Sequence, residues 1–132
     1  MNYFKIDGRS YDVLVTGIEE SFNILYSENT GRTMSTGARM VLDPLGTFFG
    51  HKVTVQRKPG YEAEYDALYK YVSVPRYAGV SVEVVHNQTT IKYDAYISNG
   101  TRKLQRITPS DAVHWDELTL NIVPLEAQVL PE

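Results

Sequence analysis

The chain contains no cysteine, which excludes disulfides, thiolate metal ligands and a Cys nucleophile. It lacks any apolar run near the roughly 20 residues that a membrane-spanning helix needs, so no membrane insertion is expected. No basic stretch followed by an apolar one opens Met1-Asn2-Tyr3-Phe4-Lys5-Ile6-Asp7, so no signal peptide is expected either. Basic charge is scarce. The 13 Lys and Arg are spread along the chain against 16 Asp and Glu, a net charge of −3 that argues against electrostatic nucleic-acid binding. Histidine is limited to His51, His86 and His114, with no two at the spacing of a local ligand pair, so neither a metal site nor another cofactor is expected.

Helical periodicity is confined to one stretch. Between Gly60 and Pro75, Tyr61, Tyr65, Leu68, Tyr69 and Val72 recur at the spacing of one helix face, which predicts a helix over about 61–72. Pro59-Gly60 breaks the chain before it and Pro75 closes it. Glu62, Glu64 and Asp66 suit the positive end of the helix dipole, and Lys70 suits the negative end. The stripe Tyr65, Leu68, Tyr69 and Val72 is expected to pack on a β-sheet core.

Almost everything else reads as strand. Tyr3–Ile6 and Tyr11–Val15 flank Asp7-Gly8, a pair suited to a tight hairpin turn. Ile18–Tyr26 resumes after Gly17. Ser27–Gly37 is polar, Gly-punctuated and without period, and its length marks it as a functional or disordered exposed loop. Ala38–Leu42 and His51–Arg57 read as strands joined by a connection over 43–50. Beyond Pro75, Val80, Val82 and Val84 alternate, the chain reverses at His86-Asn87-Gln88, and Ile91, Tyr93, Ala95 and Ile97 alternate on the way back. Asn99-Gly100 is a further hairpin signal, followed by Arg102–Ile107, a loop at Thr108–Asp111 and a strand from Trp115 to Leu125. Residues 126–132 are expected to fray. The 132 residues thus read as one mainly β domain, a β-sandwich or partly closed barrel, with one helix packed against it.

The residues do not point to catalysis. Ser110, Asp111 and His114 offer triad residue types from a single five-residue loop, where turn and cap roles are the simpler reading. Glu19-Glu20 on a strand and Glu62/Glu64 on a helix diverge, so they do not form acid–base pairs. Gly31-Arg32-Thr33 lacks the Gly-Lys-Ser/Thr ending of a phosphate loop. No catalytic residue is assigned. Two non-enzymatic classes remain: a carbohydrate-binding module using exposed Tyr, since Tyr61, Tyr65, Tyr69, Tyr71 and Tyr77 cluster around the helix, and a self-assembling structural protein that uses its sheet edges and long loop.

The heptad Ser27-Glu28-Asn29-Thr30-Gly31-Arg32-Thr33 resembles a motif of short tail proteins from long, non-contractile-tailed phages and prophages of Gram-positive bacteria. The strand His51–Val55, the helix Glu64–Val72, the strand Tyr93–Ile97 and the Trp115–Ile122 strand follow in the order expected of that family. The segment Met34-Ser35-Thr36-Gly37-Ala38 is less charged than the family pattern. The resemblance implies a tail-tube or distal-tail fold and a virion protein assembled in the bacterial host cytoplasm. Its partners would be copies of itself, in a ring or hexamer, and other phage tail proteins. It also implies that Ser27–Arg39 orders against a neighbouring subunit. Glu28 and Arg32 would then make polar contacts, Gly31 and Gly37 would permit the bends, and Asn29, Thr33 and Arg39 would belong to the same assembly loop.

Overall fold

A computed structural model describes residues 4–32, 37–110 and 113–132. The chain is mainly β with one helix. Its strands are β1 (Phe4–Ile6), β2 (Val13–Tyr26), β3 (Gly31–Arg32), β4 (Met40–Val41), β5 (Pro44–Arg57), β6 (Val80–His86), β7 (Thr89–Ile107) and β8 (Val113–Pro124), with α1 (Glu62–Val72) between β5 and β6. Six strands form one antiparallel sheet in the order β1-β6-β7-β8-β5-β2, and β3 pairs with β4 in a separate ribbon.

Alternation in the sequence decides which face is buried. Val80, Val82 and Val84 of β6 pair in register with Ala95, Tyr93 and Ile91 of β7, while Val53 and Val55 of β5 face Leu120 and Leu118 of β8. These side chains meet Tyr65 and Leu68 of α1 in a single core cluster. The helix carries the chain from β5 to β6, three positions along the sheet, and covers the concave face on the way. Its predicted stripe divides by depth: Tyr65 and Leu68 are fully buried, Tyr69 and Val72 are partly buried against the core, and Tyr61 stands exposed as the N-cap residue. Tyr65 also donates its hydroxyl hydrogen bond to the Asp116 carbonyl at 2.8 Å, which satisfies the polar end of a buried ring.

The sheet is curled but not closed. Four strand spacings separate β2 from β6, about 19 Å in a flat sheet. Yet Glu20 Oε2 of β2 lies 2.8 Å from His86 Nδ1 of β6. Side chains therefore bridge the two ends of the sheet where no backbone ladder joins them.

Several sequence expectations are corrected. Asp7-Gly8 does form a two-residue turn, with φ of 50° and 80°, but the hairpin stops at the Ile6–Arg9 bridge. Asp7 exchanges backbone and side-chain hydrogen bonds with Ser81, so β1 joins β6 instead of β2. Gly17 is no break: Thr16 is the extra residue of a bulge inside one continuous strand. Of the connection expected over 43–50, residues 44–50 are also strand. Gly46, with φ of 148°, occurs there because a Cβ would lie 2.6 Å from the Ala127 Cβ of the passing C-terminal segment. Asn99-Gly100 makes no hairpin, because neither residue takes the positive φ that such a turn requires; β7 runs through with a bulge at Ser98. The reversal at Asn87-Gln88 does occur, with Asn87 at φ 54°. The tail expected to fray is held: Thr47 and Val129 form a bridge, and the Gln128 side chain bonds both the amide and the carbonyl of Phe49. Tyr3, Thr33 and Asp111, named in the sequence reading, lie outside the described residues.

Candidate functional site

The segment that read as a loop is the end of a long arm. β2 and β5 each run for 14 residues, about 47 Å of extended chain. They pair from Val13–Arg57 to Tyr26–Pro44. The β8 ladder engages β5 only over His51–Val55. The distal halves of the two strands therefore extend beyond the packed core, and the β3–β4 ribbon prolongs them.

Asp43 organises the neck of this arm. Its carbonyl accepts the Ser27 amide at 2.9 Å, its amide donates to Thr30 Oγ1 at 2.8 Å, and its carboxylate takes the Ser27 hydroxyl. Thr30 N–H closes a turn on the Ser27 carbonyl, and Asn29 N–H bonds Ser27 Oγ. The polar residues of the heptad thus brace a hairpin end. Arg32 Nη1 donates to the Ala38 carbonyl across the tip at 3.1 Å, inside its own ribbon. Glu28, Asn29, Gly37 and Arg39 are exposed, Gly31 is half-buried, and Gly37 takes φ of 69°. The structure thus brings Arg32 to Ala38 and leaves Glu28 exposed on the turn. Asp43 escaped the sequence reading because it sits 13 residues beyond Thr30, inside what looked like a separate connection.

The sequence places Phe22, Ile24 and Tyr26 on one strand face, and the structure leaves them exposed. Phe22, Ile24, Leu25, Tyr26, Met40, Val41, Leu42 and Leu45 are all exposed, Phe22 by 65% and Leu42 by 60%. Phe22 and Ile24 continue the inward stripe of Ile18 past the end of the core, where they stay 65% and 44% exposed. On the face of Ile18 the alternation is interrupted at Glu20 and resumes with Phe22, Ile24 and Tyr26 up to the heptad. β2 is also the terminal strand of the sheet, so its outer edge has no strand partner among the described residues.

No protein-family model matches the chain, and no curated protein is significantly similar to it. The functional reading therefore rests on geometry and on the motif at the arm tip.

The Tyr residues grouped around the helix have separate roles. Tyr65 is in the core; Tyr71 donates its hydroxyl hydrogen bond to the Asp7 carboxylate and lies under the Arg76 guanidinium. Tyr69 and Trp115 sandwich Arg102, whose guanidinium carbon lies 3.6 and 4.0 Å from their ring centres. Tyr61 and Tyr77 remain exposed.

The other polar concentration is at the seam of the curled sheet. His51 is buried; its Nε2 lies 2.8 Å from Glu20 Oε2 and its Nδ1 lies 2.5 Å from the Tyr93 hydroxyl. His86 Nδ1 meets the same Glu20 oxygen at 2.8 Å. Burial lowers the His51 pKa and raises that of Tyr93. Burial also works against the Glu20 charge, but hydrogen bonds from His86 and His51 outweigh it and hold the carboxyl below its ordinary range. Among the described residues no cluster is arranged to hold a metal ion. None of their helices is long and apolar enough to cross a membrane.

Proposed function

We propose that this protein is a structural subunit of the tail of a long, non-contractile-tailed phage or prophage of Gram-positive bacteria. In this reading it is a tube, distal-tail or hub component that works by assembling with copies of itself and with other tail proteins. The observation that carries the reading is the β2–β5 arm. Eight large apolar side chains are exposed along it, the free edge of β2 runs beside them, and the tail-protein-like heptad caps its end. Exposed apolar surface on an arm stiffened by a 14-residue ladder is suited to burial against another subunit.

The solution mass of the purified protein over a concentration series, with negative-stain imaging at the highest concentration, tests the reading. Rings or stacked tubes that are lost when Glu28 and Arg32 are changed to Ala, with the fold retained, are the expected outcome. Assembly that is unchanged in that variant removes the tip from the mechanism. A strict monomer whose Tyr fluorescence responds to cell-wall saccharides replaces this reading with glycan binding, for which Tyr61 and Tyr77 are the exposed rings of the group around the helix.

A further inference from the structure

The inward stripe of β2 changes character at one position. Ile18 packs on the core, Glu20 is next on the same face, and Phe22 and Ile24 beyond it are exposed. Glu20 therefore stands where the packed sheet ends and the free arm begins. It is also the atom-to-atom link across the open seam, since one carboxylate oxygen contacts His51 of β5 and His86 of β6. Phe49 of the arm packs edge-on against the His86 ring, with 5.0 Å between centroids. Among the titratable groups, β2 contributes Glu20, β5 His51, β6 His86 and β7 Tyr93. Glu19, Lys52 and Lys92 adjoin these residues in sequence, and strand alternation sends them to the opposite face, together with Glu83, the register partner of Lys92.

The protons follow from what each atom can do. An ionised carboxylate only accepts, so His51 Nε2 and His86 Nδ1 both carry protons toward Glu20. Neutral His51 then has a free lone pair on Nδ1, which accepts the Tyr93 hydroxyl proton. Each member has a partner in this one arrangement.

We propose that Glu20, His51, His86 and Tyr93 form an acid-released latch that holds the arm against the β6–β7 hairpin, and that its opening swings the apolar face of the arm away from the seam. Protonating Glu20 removes the acceptor shared by two N–H groups. Protonating His51 gives Nδ1 a proton of its own, so the Tyr93 hydroxyl must turn and its proton loses its acceptor. With Glu20 neutral and His51 charged, the cluster goes from one negative charge to one positive charge, and the attraction that closed the seam is lost. The β2–β5 ladder and the tail contacts on Thr47 and Phe49 are untouched, so the arm moves as one piece together with the C-terminal segment.

The absence of native cysteine makes the test clean. Spin labels on Asn23→Cys in the arm and Gln88→Cys in the β6–β7 turn, both exposed positions, report the seam distance in the otherwise intact chain. The expected result is a narrow distribution at pH 7 that lengthens and broadens at pH 3, while far-UV circular dichroism stays that of a folded β protein. Glu20→Gln is expected to give the long distribution already at pH 7, with no further change on acidification. His86→Phe keeps a ring against Phe49 but removes the N–H, and is expected to raise the midpoint pH of opening; it provides the readout if Glu20→Gln fails to fold. A distribution that is the same at both pH values, a response to acid that survives in Glu20→Gln, or an unchanged midpoint in His86→Phe overturns the latch. The distances are read at concentrations where the protein is monomeric, so failure of the latch and failure of the assembly reading are separate results.

Discussion

Glu20 and Asp7 are both more acidic in the folded chain than in the unfolded one. Asp7 is lowered by hydrogen bonds from Tyr71 and the Ser81 amide, and Glu20 by its two imidazole partners, against the opposing effect of burial. Their stabilisation is complete above the ordinary values of 3.8 and 4.5, and it is lost as pH falls through the depressed folded values. Burial lowers the His51 pKa too, so below the ordinary 6.5 the unfolded chain takes up that proton first and acid again favours unfolding. All three act in one direction. The thermal midpoint should fall from pH 7 to pH 4, most steeply below about 4.5, and Asp7→Asn with Glu20→Gln should flatten that slope. A midpoint that rises on acidification would contradict the assignment. Gly79 gives a second prediction at this scale. Its φ is 71° and a Cβ would stand 2.3 Å from the Ala95 carbonyl oxygen. Gly79→Ala is therefore expected to cost about 2 to 4 kcal/mol, read as a lower midpoint in a denaturant titration.

The helix and the arm are opposite kinds of element. Leu68 is fully buried between helix and sheet, so Leu68→Ala should cost about 2 to 5 kcal/mol through lost burial and the cavity left behind. Phe22 and Ile24 are just as apolar but lie beyond the core. Changing both to Ser should cost the isolated chain at most about 1 kcal/mol, the scale of strand propensity. Comparative unfolding of the two variants tests this contrast, and equal losses would mean that the arm is packed in the monomer. The helix was legible in the sequence because Tyr65 and Leu68 share one face at a period the chain shows nowhere else. The arm was not. Residues 43–50 read as a connection, yet Gly46 lies in strand and marks the close passage of Ala127, a neighbour 81 positions away in sequence.

Across the whole molecule, one core cluster joins all the large-sheet strands except the distal arm, so a single cooperative unfolding transition is expected of the core. The surface left over is mixed: apolar along the arm, polar at its tip. Salt separates the two contributions to assembly. Association through Phe22, Ile24 and Leu42 should strengthen in sulfate, whereas association through Glu28 and Arg32 should weaken as ionic strength rises. Sedimentation velocity in rising sulfate and rising chloride reads both, and because the apolar residues outnumber the charged ones, strengthening in sulfate is the expected result.

The sequence by itself determined the local features: the helix over Glu62–Val72, the alternation of Val80, Val82 and Val84, the reversal at Asn87, and a mainly β chain with one helix. These depend on near neighbours, and period and turn chemistry report near neighbours. The partner of each strand, the run of β7 through Asn99-Gly100, the pinning of the tail on Thr47 and the meeting of Glu20 with His51 and His86 were decided only by the tertiary structure. The contacts of Glu20 with His51 and His86 and of Thr47 with Val129 join positions 31 to 82 residues apart, and no local pattern encodes which distant strand the curled sheet brings opposite.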